Sequence, residues 1–277
     1  MILDKYSDIV DEKLIELILD GNKDALNTLI NRHKDWIFNV AIGMTGNKHA
    51  AEDVTQEVLI KIVTKLSTFK FKSSFRTWLY HIVKNHIYNM ERKAKEYHFS
   101  SFEKHKSFLE NLKDDDFEYD NLIEREMLIE ETKIECMLGM LLCLDRDQRM
   151  IFIIGAIFGI DSATGASFIE TSEVNYRKKL SRARNDLKGF MQDNCSLVNK
   201  NNKCKCVKKT KAAIQMGYVD PNDLQFTNKH YSKIKDIVSK NDVTIQDVII
   251  KRIQGLFKDN PYSIFETKEF SELMSIM

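Results

Sequence analysis

Apolar residues recur at three- and four-residue steps through one segment of this chain after another, and almost nothing interrupts them. Between Lys23 and Met44, Leu26, Leu29, Ile30, Ile37, Phe38 and Ala41 keep that step, with Trp36 beside them. Val54, Val58, Ile62 and Leu66 repeat it, while Glu52, Asp53, Gln56, Glu57 and Lys61 fall on other faces. This is the period of an amphipathic helix. Only 10 Gly and 2 Pro occur in 277 residues, too little turn punctuation for a sheet protein. The spacing predicts an all-α fold, with helices over Asp11–Asp20, Lys23–Met44 and His49–Leu66, and a fourth starting near Ser74 with Ser73 as its N-cap. The length suffices for about two domains, each able to bury a core without disulfides or metals.

A net charge of +1 conceals a sorting of charge along the chain. From Lys61 to Lys95 nine Lys and Arg face one acid, Glu91. The sign reverses between Phe102 and Glu131, centred on Asp114, Asp115, Asp116, Glu118 and Asp120, and reverses again from Arg177 to Lys211, where twelve Lys and Arg stand against Asp186 and Asp193. Two basic blocks around an acidic one suit two contacts with one polyanion, joined by a segment that avoids it.

The first basic block contains "SSFRTWLYHIVKN", Ser73 to Asn85. On a helical wheel Phe75, Trp78, Leu79, Ile82 and Val83 share one face, which predicts core. Arg76, Thr77, Tyr80, His81, Lys84 and Tyr88 take the other side, where aromatic planes alternate with cations and no core is expected. Rings can stack on unpaired bases while Lys and Arg hold phosphates.

A second unit is expected from Leu122 to Met191. A buried helix from Arg146 to Phe158 should close at Gly159, a short helix should follow Asp161 as its N-cap, and after the turn "ETS" Ser172 should cap a last helix, Glu173 to Met191. That is helix-turn-helix spacing. Tyr176, Leu180, Ala183, Leu187 and Phe190 form its inward stripe. Glu173, Asn175, Arg177, Lys178, Ser181, Arg182 and Arg184 are left outside, where Asn and Arg can make bidentate base contacts in a major groove.

The run "AAEDVTQEVLIKIVTKLSTFKFKSSFRTWLYHIVKNHIYNMERK", Ala50 to Lys93, resembles region 2 of bacterial RNA polymerase sigma factors of the sigma-70 superfamily, of the extracytoplasmic-function type. Leu144 to Phe190, with "LSRAR-DL", resembles region 4. The resemblance implies a non-enzymatic, dissociable subunit that binds core RNA polymerase and directs promoter-specific transcription initiation. It implies polymerase docking through Asp53, Gln56 and Glu57. It implies capture and melting of the −10 element through Arg76, Trp78, Tyr80, His81, Lys84, Asn85, Asn89 and Arg92, and reading of the −35 element by Ser172, Glu173, Asn175, Arg177, Lys178, Ser181 and Arg182. Promoter DNA, duplex and melted, is then the second partner, with room for an anti-sigma factor. The acidic run "DDD" could mimic a phosphate backbone inside the polymerase. "DSATGASFIETS" departs from the usual region 4 pattern at Gly165 and Phe168, so promoter preference does not carry over. The domains implied are 1–97 for region 2, 98–121 for an acidic linker, 122–191 for region 4 and 192–277 for a C-terminal extension.

That extension places Cys195, Cys204 and Cys206 as C-x8-C-x-C. Three thiolates could hold Zn²⁺ or another thiophilic metal, with Asp193, His230 or an exogenous group as fourth ligand. Cys136 and Cys143, on an apolar helix, are expected to be buried rather than ligands. "VKKTKAAIQMG" reads as a helix ending at Gly217, "VDPND" as a turn, and short amphipathic helices are expected beyond it. No N-terminal signal is visible, and the most apolar window, Met150 to Ile160, is too short for a bilayer that needs roughly 20 residues, so a cytoplasmic location is expected. Two other readings are a helix-turn-helix regulator that never enters polymerase and a thiol metal-sensing adaptor.

Overall fold

A computed structural model describes residues 9–90 and 99–226, and its regular elements there are helices. In chain order they are α1 (Asp11–Leu19), α2 (Lys23–Thr45), α3 (Lys48–Lys65), α4 (Phe75–Asn89), α5 (Phe102–Asn111), α6 (Leu122–Leu142), α7 (Arg146–Phe152), α8 (Ser162–Ile169), α9 (Glu173–Asn194) and α10 (Cys206–Gln215). The fold is all-α, as the periodicity predicts. Starts are set by side chains that accept orphan helix N–H groups: Asn22 from Ala25, Asn47 from Ala50, Asp161 from Ala163 and Thr164, and Ser172 from Asn175. The cap of α4 is Ser74, whose oxygen accepts from the Thr77 N–H, and not Ser73.

The expected helix Arg146–Phe158 is not uniform. After Phe152 it widens into a π turn over Ile153–Ile157, where the Phe158 N–H reaches back to the Ile153 carbonyl. Gly155 lies within that turn, against a side chain of α9. The Tyr176 ring, fully buried, packs so tightly that a Cβ on Gly155 would stand 2.5 Å from its hydroxyl and one on Gly165 only 2.4 Å from Cζ. The inward stripe of α9 is otherwise as expected, with Tyr176, Leu180, Ala183, Leu187 and Phe190 all buried. The helix runs on to Asn194 rather than stopping at Met191.

One apolar core continues through both halves, from Leu29, Ile37, Phe38, Val58, Phe75 and Leu79 to Met150, Phe152, Ile154, Phe168 and Leu180. Each such side chain contributes about 1.5–3 kcal/mol by leaving water. Buried charges join distant segments. Arg149 donates to the carbonyls of Leu141, Leu142 and Leu144 at 3.0 Å each and of Met44 at 2.6 Å, so one guanidinium serves the C-terminal ends of α2 and α6 together. Gly46, at φ 62°, ends α2 and lets Leu142 approach where a Cβ would meet its Cδ1 at 2.6 Å. Buried Glu131 accepts the Gln225 and Phe226 N–H groups.

Within the segment expected to be a linker lies α5. The acids after it dock on α10: Asp114 pairs with Lys209 and Asp115 with Lys211, both at 3.0 Å, and the Asp115 N–H donates to the Lys208 carbonyl. Opposite charge thus holds the acidic run against the basic helix α10. Phe117, Leu128 and Ile129 bury themselves against Ala213 and Val219 beside it. Among the described residues, no helix is long and apolar enough to cross a membrane.

Candidate nucleic-acid interface

Helix α4 divides its two faces largely as the wheel predicts. Phe75, Leu79, Val83 and Ile87 are buried. Trp78, at the border, is half-buried in an aromatic group, with ring centroids 5.6 Å from both Phe69 and Phe75. The polar face differs from expectation, because part of it is covered. Tyr80 lies between the Trp36 ring, 4.5 Å away, and Phe168 of α8 at 5.9 Å. His81 also meets Phe168, at 6.1 Å. Lys84 is only 8% exposed and pairs with the Glu170 carboxylate at the end of α8. The Tyr88 hydroxyl donates to Asp147, 2.8 Å away, and Lys179 of α9 binds the other oxygen of the same carboxylate.

The helix-turn-helix therefore sits on the face that the sequence left open, with Phe168 and Glu170 covering part of it. This closure tunes the groups it touches. Burial raises the Tyr80 and Tyr88 hydroxyls, and the Asp147 charge raises Tyr88 further. His81 is held below the usual histidine range by burial and then by the Lys84 charge, so at neutral pH it offers a ring plane rather than a cation. Glu170 is lowered by its hydrogen bond and charge contact with Lys84.

Arg76, Asn85 and Asn89 remain exposed, and Arg92 lies outside the described residues. Beside them stands Phe71, 44% exposed and held at φ 54°, a left-handed backbone uncommon for a bulky residue. It leans on Phe69, 4.8 Å away, so its ring is both presented and braced. Only its place in the "FKFK" run, an aromatic between two lysines, signals it in the sequence.

On α3, Asp53 and Glu57 are exposed and Gln56 is half-buried, one turn from one another on a side the core does not use. Glu57 reaches His86 of α4 at 3.7 Å. On α9, Ser172 is the N-cap, Glu173 pairs with Arg177 at 2.9 Å, and Asn175, Lys178, Ser181 and Arg182 are exposed. The two helices of the motif are joined through Glu170 at φ 59° and a Thr171 N–H bonded to the Ala166 carbonyl. The geometry presents a helix N-terminus with Asn, Arg and Lys outward, which can enter a duplex groove.

The cysteines separate differently from expectation. Cys143 is buried, its thiol donating to the Gly139 carbonyl at 3.3 Å. Cys136 is half-buried and stands with the thiols of the extension, lining one small cavity with Cys204 and Cys206. His230 lies outside the described residues. Among the described residues, no three His, Cys, Asp or Glu side chains already stand as a metal-binding group.

Comparison with known proteins places this geometry. Residues 29–97 match the model of sigma-70 region 2. The ECF RNA polymerase sigma factor SigW of Bacillus subtilis is 34% identical over 84 residues, 30% of this chain and 45% of that protein. RNA polymerase sigma-H factor of Pseudomonas aeruginosa is 33% identical over 81 residues, 28% of this chain and 42% of its own length. A longer match, RNA polymerase sigma factor YlaC of Bacillus subtilis, is 25% identical over 170 residues, 61% of this chain and 94% of that protein. The chain thus spans less than half the length of the first two relatives. The matched segment holds α3 and α4 with the residues described above, and over it the chain is similar to region 2 of sigma-70 factors and to the extracytoplasmic-function sigma factors among them.

Proposed function

We propose that this protein is a sigma factor: it binds core RNA polymerase and directs promoter-specific initiation of transcription in the cytoplasm. The observation that carries the reading is the region 2 match over 29–97, which includes Phe71 in the loop before α4 and the α4 face of Arg76, Tyr80 and Lys84, where rings and cations alternate. Binding an unpaired strand on such a face draws the duplex toward opening, because a ligand with higher affinity for one state shifts the population to it. Helix α9 would read the −35 element as duplex, with Asn175, Arg177, Lys178 and Arg182 nearest the bases and phosphates. Asp53, Gln56 and Glu57 would hold the polymerase. The protein supplies binding energy and no bond-making chemistry of its own.

Closure of the helix-turn-helix over Tyr80, His81 and Lys84 implies that the free protein hides part of its strand-binding face, and that polymerase must part the two halves. Mixing the purified chain with core polymerase tests both steps. Asp53→Ala and Gln56→Ala should lose co-elution with core while keeping the fold. Phe71→Ala and Tyr80→Ala should keep co-elution and lose open complexes, read by permanganate reactivity of unpaired thymines. A chain that fails to co-elute with core, yet binds duplex DNA alone, would make it a helix-turn-helix regulator instead.

A further inference from the structure

Four of the five cysteines converge from three elements that are far apart in the chain. Cys195 ends α9 in extended conformation and forms a parallel bridge with the backbone at Cys204, where the Ser196 N–H donates to the Cys204 carbonyl. The eight residues between them fold back over this bridge: the Val198 and Asn199 N–H groups and the Asn202 side chain all donate to the Cys195 carbonyl. Cys206 then opens α10, which lies along α6, and α6 brings Cys136. Cys136, Cys204 and Cys206 line a cavity of about 50 Å³ together with His105. The Cys136 sulfur lies 3.8 Å from His105 Nε2, and Gly139 makes room for that ring, since a Cβ there would meet His105 Cε1 at 2.7 Å.

The thiols also feel one another. Burial raises Cys136 well above the ordinary thiol range, and Cys206, Cys195 and Cys204 then add to the effect in that order. Cys206 is pushed up to about 12 by burial and by Cys195 and Cys204, and Cys204 is raised by burial and by Cys195. Lys133 beside Cys206 and Lys209 beside Cys204 oppose this, and each is already paired with a carboxylate, Glu130 and Asp114, that acts the other way. Cys136, Cys204 and Cys206 do not ionise readily alone, yet they line one cavity, and each lies near enough to Cys195 to feel its charge.

We infer that Cys136, Cys195, Cys204 and Cys206 form a four-thiolate site for a soft cation of the Zn²⁺ class, with His105 as the outer partner of Cys136. Four sulfurs without an open position are the donor set of a closed tetrahedral site. Turning a cysteine between staggered wells moves its sulfur by about 3 Å, which lets the thiols draw in around an ion. The step balances: Zn²⁺ and four thiols give a zinc tetrathiolate of charge −2 and four protons. Because Cys136 precedes the helix-turn-helix and Cys195 follows it, the ion would fasten α10 across both ends of that unit. The site stands independently of the sigma-factor reading.

The test uses the full, reduced chain stripped of metal, with Zn²⁺ alone as probe, competed against a chromophoric chelator in weakly buffered solution. One Zn²⁺ should bind per chain with release of about four protons. Cys136→Ser should weaken binding by at least about 100-fold, whereas Cys143→Ser should leave it unchanged. Co²⁺ in the unaltered chain should give the intense visible and charge-transfer bands of tetrahedral sulfur coordination, a readout that needs no variant. Failure to hold Zn²⁺ against the chelator, or Cys136→Ser binding as tightly as the native chain, would overturn the assignment.

Discussion

Arg149 offers the sharpest quantitative check on how the two halves are joined. Its guanidinium is 3% exposed and donates to four backbone carbonyls, three at the end of α6 and one, Met44, at the end of α2. Arg149→Met keeps length and apolar volume but removes every donor. An orphaned buried carbonyl costs about 1 kcal/mol or more, while the lost guanidinium no longer has to be desolvated, an offset of comparable size to part of that cost. The net expectation is a loss of about 3–4 kcal/mol, a large share of the roughly 5–15 kcal/mol typical of a folded protein. With a urea slope near 3 kcal/mol/M, the midpoint falls by about 1 M. Trp36 reports the junction directly, because its ring lies 5.8 Å from Phe158 and 4.5 Å from Tyr80. Its fluorescence should therefore shift with, or before, the loss of helix signal. Arg149→Lys should recover only a minor part, since an ammonium cannot span four acceptors. A midpoint within about 0.2 M of the native chain would refute the reasoning, by showing that those carbonyls do not depend on the guanidinium.

Three further outcomes are expected. Glu170→Gln removes the carboxylate that holds Lys84, so the free chain should bind a single-stranded oligonucleotide severalfold more tightly; unchanged affinity in an anisotropy titration would mean the cover is not held there. Tyr176→Phe should be neutral or slightly stabilising, because the buried hydroxyl has no hydrogen-bond partner among the described residues, whereas Gly165→Ala should destabilise by about 1–3 kcal/mol through overpacking against that same ring, both read by thermal unfolding. Burial raises the Asp11 carboxyl, but the hydrogen bonds and charges of His33 and Arg32 outweigh it and hold it below its ordinary value. Its folded pKa is thus lower than its unfolded one, near 3.9, so its stabilisation is complete above that pH and is lost as pH falls through the folded value. Asp11→Asn should shallow the acid limb of the stability curve, and an identical limb would contradict the pairing.

Much of the fold is legible because helices announce themselves locally. Asp161 and Ser172 cap where they should, and the α9 stripe from Tyr176 to Phe190 points inward, since both depend on neighbours within a turn. What escapes the sequence depends on partners far along the chain. A wheel gives α4 two faces but cannot tell that Phe168, more than eighty residues later, covers Tyr80 and Lys84. Arg149 reads as one cation at the head of an apolar run, because its Met44 acceptor is 105 residues away. Cys136 reads as core until α10 lies down on α6. The π turn at Ile153–Ile157 lies inside an unbroken apolar run, so periodicity alone extends the α-helix straight through it.

The central claim is tested most directly by transcription in a defined system: core polymerase, the purified chain and supercoiled templates carrying the region upstream of its own coding sequence. The account predicts a discrete transcript that appears only when the chain is added, and that disappears with Tyr80→Ala although the variant still joins core. No chain-dependent transcript from any template, with core shown active by another initiation factor, would contradict it.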